Sequence, residues 1–174
     1  TTQDIYRWDF PRISTYTLGE SLTNSTEQIR DVTTTTIDIH YFNSAQVTTM
    51  DSMFKNTPFN KPIDDLNTSK VTSMNSMFSQ ATPFDQYIGT WDVSAVVDMS
   101  GMFYEANAFN GDISGWNTHQ VTSMHSMFYN ATTFNQPIGK WNISAVTQMD
   151  YMFFGDSSFN QSLYSWPITF SDVT

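Results

Sequence analysis

Apolar residues in this chain recur in a fixed register. Val47, Val71, Val96, Val121 and Val146 stand 24, 25, 25 and 25 residues apart. Each is followed three residues on by Met (Met50, Met74, Met99, Met124, Met149). Three further on comes Met-Phe (Met53-Phe54, Met77-Phe78, Met102-Phe103, Met127-Phe128, Met152-Phe153), and these two columns use all ten methionines. Next come Phe59, Phe84, Phe109, Phe134 and Phe159, each trailed by Asn or Asp, then Ile63, Ile88, Ile113, Ile138 and Leu163. Leu66, Trp91, Trp116, Trp141 and Trp166 close the pattern. Self-similarity at such a period marks a solenoid, in which stacking repeats bury a core that no repeat buries alone.

The spacing predicts local elements. Val71, Met74, Met77, Phe78 and Ala81 fall at i, i+3, i+6, i+7 and i+10, the period of an amphipathic helix of two to three turns. Ser69, Ser94 and Ser144 stand where its N-cap would lie. Ile-x-x-Trp-x-Val alternates at its end (Trp91, Val93; Trp141, Ile143) as a short strand does, with Gly89, Gly115 and Gly139 supplying turns. The expectation is an α/β repeat solenoid, with a parallel sheet on one face and short helices on the other.

Five repeats of 24–25 residues span 47–170, and 171–174 form the C-terminal end. Residues 22–46 read as a degenerate capping repeat through Leu22, Ile29, Ile39, Phe42 and Ser44. Residues 1–21 match nothing in the repeat. With the β-branched stretch Thr33–Ile39 they are expected to cover the first edge of the sheet.

Composition excludes several function classes. Aromatic content of 16% and hydrophobic content of 39% support a packed core. A net charge of −10 with seven Lys and Arg leaves no basic stripe for nucleic acid and none for an anionic membrane surface. With no cysteine there is no disulfide, zinc-thiolate site or thiol nucleophile. No apolar run is long enough to span a bilayer.

At these columns the chain resembles the BspA-like branch of the leucine-rich-repeat proteins. The likeness is to the Met-Phe-rich, 25-residue repeats of bacterial surface proteins of unknown function. Phe134-Asn135-Gln136-Pro137-Ile138-Gly139-Lys140-Trp141-Asn142-Ile143-Ser144 carries it most plainly, over 47–170 with a weak extension to about residue 22. The resemblance implies a right-handed solenoid, use at the cell surface or in secreted form, and no catalytic residue to carry over.

Candidate chemistry is sparse. Thioethers suit Cu(I), but Met beside Phe at regular spacing reads as core packing. Met74, Phe78, Phe84, Trp91, Met99, Phe103, Phe109, Trp116, Met124, Phe128, Phe134 and Trp141 are therefore expected to form a structural spine, with no metal and no cofactor. Stacking should align Asn60, Asn110, Asn135 and Asn160 into an amide ladder, interrupted by Asp85. His40, His119 and His125 have no mutual ligand spacing, and no Ser-His-Asp order or Gly-flanked nucleophile stands out. Asp64, Asp65, Asp92 and Asp112 read as a solvated acidic face rather than a Ca²⁺ site. Candidate glycosylation sequons begin at Asn24, Asn67, Asn130 and Asn142; Asn67 and Asn142, in the outward column after Leu66 and Trp141, are expected to carry glycan in a eukaryotic source.

The expected function is that of a non-catalytic extracellular or cell-surface structural protein. Its expected partner is itself, through heterologous end-to-end contacts that propagate into fibres. The alternative is an adhesin-type module binding a surface protein or glycan on its strand face, through Asp64, Asp65, Asn67, Asp92, Asn117, Lys140 and Asn142.

Overall fold

The computed structural model describes residues 44–167. The N-terminal segment, most of the degenerate capping repeat, Asn24, His40, the Thr33–Ile39 stretch and the final residues lie outside the described residues. From 47 onward the chain winds as five stacked coils, one per repeat, around a continuous core that takes in Val, Met, Phe, Ile and Trp from every coil.

The coils are built neither from helices nor from sheet strands, so the expected α/β architecture is overturned. Among the described residues the only helical element is one 3₁₀ turn, Ile138–Lys140. Parallel pairing is one residue wide: Thr49, Ser73, Asp98, Ser123 and Gln148 bridge from coil to coil. This line of bridges runs just before the first Met column, not through the Ile-x-x-Trp stretch where strands were expected.

The physical reason lies in the i, i+3 spacing itself. A β-turn brings its first and fourth residues together, so a chain of turns points every third side chain inward, as a helix does. Here Trp91 N–H donates to Ile88 C=O, Val96 to Val93, Met102 to Met99, Ala106 to Phe103 and Phe109 to Ala106. Each bond closes a turn between two inward side chains. Six of the ten residues between them are Ser, Thr, Asn or Gly, which favour turns over helix interiors. Ser69, Ser94 and Ser144 cap no helix; their N–H groups bond Asn67, Asp92 and Asn142 Oδ1 at 3.0–3.1 Å.

Left-handed residues complete the turns. Ser52, Ser76, Gly101, Ser126 and Tyr151 share one column with φ between 52° and 59°. Asn56, Gln80, Glu105, Asn130 and Gly155 share a second, with φ between 51° and 74°. A positive φ at the third residue is what a type II turn requires. It also turns alternate N–H groups along the solenoid axis. Thus Met74, Ser76, Phe78 and Gln80 N–H donate to Asp98, Ser100, Met102 and Tyr104 C=O of the next coil at 2.6–2.9 Å. A helix would have spent these donors internally; here they tie one coil to the next.

Side chains stack in the same register. Phe54, Phe78, Phe103, Phe128 and Phe153 form one ring column with centroids 5.3–5.7 Å apart. Phe84, Phe109, Phe134 and Phe159 form a second at 5.9–6.0 Å. Within a coil the two columns meet, as in Phe103 and Phe109 at 4.0 Å. The indole N–H of Trp91, Trp116 and Trp141 donates to the C=O of Ile63, Ile88 and Ile113 of the preceding coil. All twelve spine residues are at most 4% exposed.

The Asn ladder is present, and Asp85 does not interrupt it. Asn60 Oδ1 accepts Asp85 N–H, Asp85 Oδ1 accepts Asn110 N–H, and Asn110 and Asn135 serve Asn135 and Asn160 likewise, at 2.9–3.0 Å. The column needs an acceptor, which a carboxylate supplies as well as an amide. Gln86, Gln136 and Gln161 add a second donor to Asn60, Asn110 and Asn135. Above Asp85 that position is Gly111, where a Cβ would stand 3.0 Å from the Phe109 ring and 3.2 Å from Gln86 C=O.

Candidate binding face

The groups proposed from sequence are exposed but do not converge. Asp64, Asp65, Asn67, Asp92, Asn117, Lys140 and Asn142 all lie on the surface. Four of them are occupied by their own turns, since Asn67, Asp92, Asn117 and Asn142 Oδ1 accept N–H groups two residues on. The Ser94 hydroxyl, then its N–H, holds the Asp92 carboxyl below the usual range. Asp112 is lowered in the same way, first by the Ser114 N–H. Among the described residues no three His, Asp or Glu side chains gather as a metal site. Of the sequons there, Asn67 and Asn142 are exposed and Asn130 is half-buried in the second left-handed column.

A different face concentrates chemistry: the outer side of the stacked Met-to-Ala turns. The residue after each inward Phe stands on that side, half-buried or exposed except for the buried Ser79, and Tyr104, Tyr129 and Phe154 stack in that column. Their centroids lie 4.7 and 5.0 Å apart. Phe154 and the neighbouring Tyr151 are 55% and 57% exposed. One coil lower the column holds Ser79, and one lower still Lys55, so Tyr104 stacks on Tyr129 on one side only. An open groove of about 380 Å³ lies at this step, lined by Lys55, Ser76, Ser79, Gly101, Tyr104 and His125 together with Asn75, Gln80, Ser100 and Ser126. That size is within the range of small-molecule pockets.

Its floor is low because the first left-handed column takes small residues here, and Gly101 is buried at φ +59°. Its rim is polar. Asn75 Nδ2 donates to Asp98 Oδ2 at 3.1 Å, and Gln80 Nε2 donates to Glu105 Oε2 at 3.0 Å. Loss of water, then the nearby Glu105 and Tyr129, raise the Tyr104 phenol above its ordinary 10.0. It is therefore a neutral hydroxyl across the physiological range.

On the wall of the same groove, His125 Nδ1 lies 2.6 Å from Asp150 Oδ2, and Nε2 lies 3.2 Å from Ser126 Oγ. With Nδ1–H donated to the carboxylate, Nε2 is left to accept the serine hydroxyl. This is the order of a hydrolytic triad. An acyl-transfer site also needs free N–H groups to hold an oxyanion. Here Ser126 N–H is bonded to Asp150 C=O, Met127 N–H to Met124 C=O, and Gly101 N–H to His125 C=O. The positive φ of Ser126 is shared with Ser52 and Ser76, so it belongs to the coil and not to a nucleophile. The cluster was invisible in the sequence because Asp150 arrives one full coil after His125.

The fifth coil differs from the others. Val146, Met149, Phe153, Phe159 and Leu163 are only partly buried, although their counterparts in the coils below are fully enclosed. Trp166 Nε1 and Asp156 Oδ2 are buried without a hydrogen-bond partner. Asp156 stands in the column of Ala81, Ala106 and Ala131, and burial raises its carboxyl above 3.8 against the lowering effect of Ser158 and Phe159 N–H. A raised folded-state value favours the protonated form. The stability this group contributes is complete below 3.8 and is lost as pH rises through the folded value. Asp156→Asn, which keeps an acceptor for both N–H groups, should therefore raise Tm at neutral pH. That gain should vanish on acidification, as thermal melts at both pH values would show.

The fold and this face define a non-helical coil solenoid, stacked from turn-built repeats, with an aromatic column and a groove on its outer side. Residues 20–122 and 112–172 match, as two overlapping segments, the family described as "Mycoplasma protein of unknown function, DUF285", and the chain belongs to that family. No curated protein and no solved structure matches it. Among the described residues no helix is long and apolar enough to cross a membrane.

Proposed function

We propose that this chain is a non-catalytic repeat module of the cell surface or extracellular space, which binds a protein or glycan on the face carrying Tyr104, Tyr129 and Phe154. The observation that carries this reading is the aromatic column itself. The repeat buries its other ring columns, yet this one lines the outer surface beside a polar groove. Exposed aromatic area flanked by hydrogen-bonding groups is characteristic of recognition surfaces. The absence of free oxyanion donors at Ser126 supports a non-catalytic role, and the resemblance to bacterial surface repeats supports the location. Arrays of immobilised matrix proteins and glycans, probed with labelled chain, test the proposal. Saturable binding that a Tyr104→Ser/Tyr129→Ser double variant loses is expected. Binding that survives both substitutions, or none on any array, would contradict it.

Self-association is a second reading, favoured by the state of the fifth coil. There the N–H groups of Met149, Tyr151, Phe153 and Gly155 find no acceptor among the described residues, whereas Met124, Ser126, Phe128 and Asn130 below them are all paired. A row of donors without an acceptor among the described residues, beside half-exposed apolar side chains, is a template for another length of chain. Either a further coil or a second copy would satisfy it. A mass that rises with concentration in light scattering is the mark of the second copy.

A further inference from the structure

The outer aromatic column has a missing rung. Going down the stack it runs Phe154, Tyr129, Tyr104 and then stops at Ser79, with Lys55 beyond. Each ring in the column stacks on the next, so the second face of Tyr104 is left over the groove where the next ring would lie. Around that vacant rung stand Asn75, Ser76, Ser79, Gln80 and Ser100. These groups all both donate and accept hydrogen bonds. The lining carries Lys55, the His125 ring that meets Asp150 at 2.6 Å, and no carboxylate, on a chain of net charge −10. Asp98 and Glu105 sit just behind the rim, paired with Asn75 and Gln80.

These features select a ligand. An anion would meet the carboxylates behind the rim and a strongly acidic protein; a cation would meet the Lys55 ammonium in the lining, and Asp98 and Glu105 behind the rim are already bonded to Asn75 and Gln80. A purely apolar ring would stack on Tyr104 but strip water from hydroxyl and amide groups that it cannot replace. A pyranose satisfies both demands, with a C–H face for the aromatic ring and hydroxyls at its edge that donate and accept. We propose that the notch over Ser79 binds a pyranose ring of a neutral glycan, seated on the free face of Tyr104. This rests on the binding reading above and names its ligand class.

The test is a titration of isotope-labelled protein, followed by NMR, with neutral oligosaccharides of glucose, galactose and N-acetylglucosamine. One of these should shift the amides of Ser76, Ser79, Gly101 and Tyr104 in a saturable way. Tyr104→Ala should weaken that binding about tenfold or more, and Tyr104→Phe, which keeps the ring face, by no more than about threefold. Ser79→Tyr, which supplies the missing rung, should abolish it while the spectrum of the fold persists. Tyr87→Ala, at an exposed tyrosine outside the groove, should leave it unchanged. No shift with any of the three sugars, or shifts confined to other surfaces, would overturn the inference. A protein ligand on the arrays that depends on Tyr104, with no sugar response, would also overturn it while leaving the binding reading intact.

Discussion

Phe103→Ala should destabilise the protein by about 4 kcal/mol, the largest effect expected of any single core truncation here. Its ring stacks on Phe78 and Phe128 at 5.6 Å, on Phe109 at 4.0 Å and near Trp116 at 6.5 Å, and it is fully buried. Truncation opens a cavity whose walls are rigid rings, each held in register by coil-to-coil hydrogen bonds, so collapse around it is restricted. Solenoid stability is close to a sum of coils and nearest-neighbour interfaces, and Phe103 belongs to two of those interfaces. Chemical denaturation should therefore lose its single transition, with the coils above the third unfolding apart from those below. Phe154→Ala, one place further along the chain in the fifth coil, removes a ring that is already half in water. It should cost less than about 1 kcal/mol.

Asn110→Ala should cost about 2 kcal/mol, because it leaves a backbone group unpaired and not merely a bond unmade. Asn110 Oδ1 accepts the N–H of Asn135 at 2.9 Å and the side chain of Gln136 at 3.0 Å. Both partners are half-buried, and Gln136 already donates to the Asn110 C=O as well, at 2.8 Å. Asn110→Asp keeps the acceptor, and the native Asp85 already performs that role for Asn110 N–H. The Asp variant should thus lie within about 1 kcal/mol of the parent. Urea midpoints of the two variants decide this: equal losses would mean that the ladder is packing alone and that the acceptor is immaterial.

The repeat length, the coil count and the buried columns were all legible in the sequence, because stacking forces each column to one chemistry. Val96, Met99, Phe103, Phe109, Ile113 and Trp116 could be assigned to the core from spacing alone. The element type was not legible from that spacing, since i, i+3 recurrence is common to a helix and to a run of turns. The discriminating signal lay in the polar columns. Gly101 and Gly155 share positions with Ser and Asn, residues that tolerate or cap left-handed backbone, and none of these belongs in a helix interior. Trp91 alternates with Val93 as a strand residue does. Its indole N–H instead reaches back to Ile63 C=O, a contact 28 residues away that no local pattern encodes. The outer face was hidden for a similar reason. Its column mixes Lys55, Ser79, Tyr104, Tyr129 and Phe154, so it does not register as a repeat, although the change from Ser79 to Tyr104 is what makes the groove.

The coils are held by N–H groups turned along the solenoid axis and not by helices. Amide hydrogen exchange in the native state, resolved by residue, tests it most directly. Met124, Ser126, Phe128 and Asn130 donate to the fifth coil and should be protected, while their counterparts Met149, Tyr151, Phe153 and Gly155 exchange freely. Within the fifth coil, Met152, Phe154 and Asp156, which close their own turns, should exchange more slowly than those free neighbours. Uniform protection along 149–156, matching that along 124–131, is what short helices would give, and it would contradict the account.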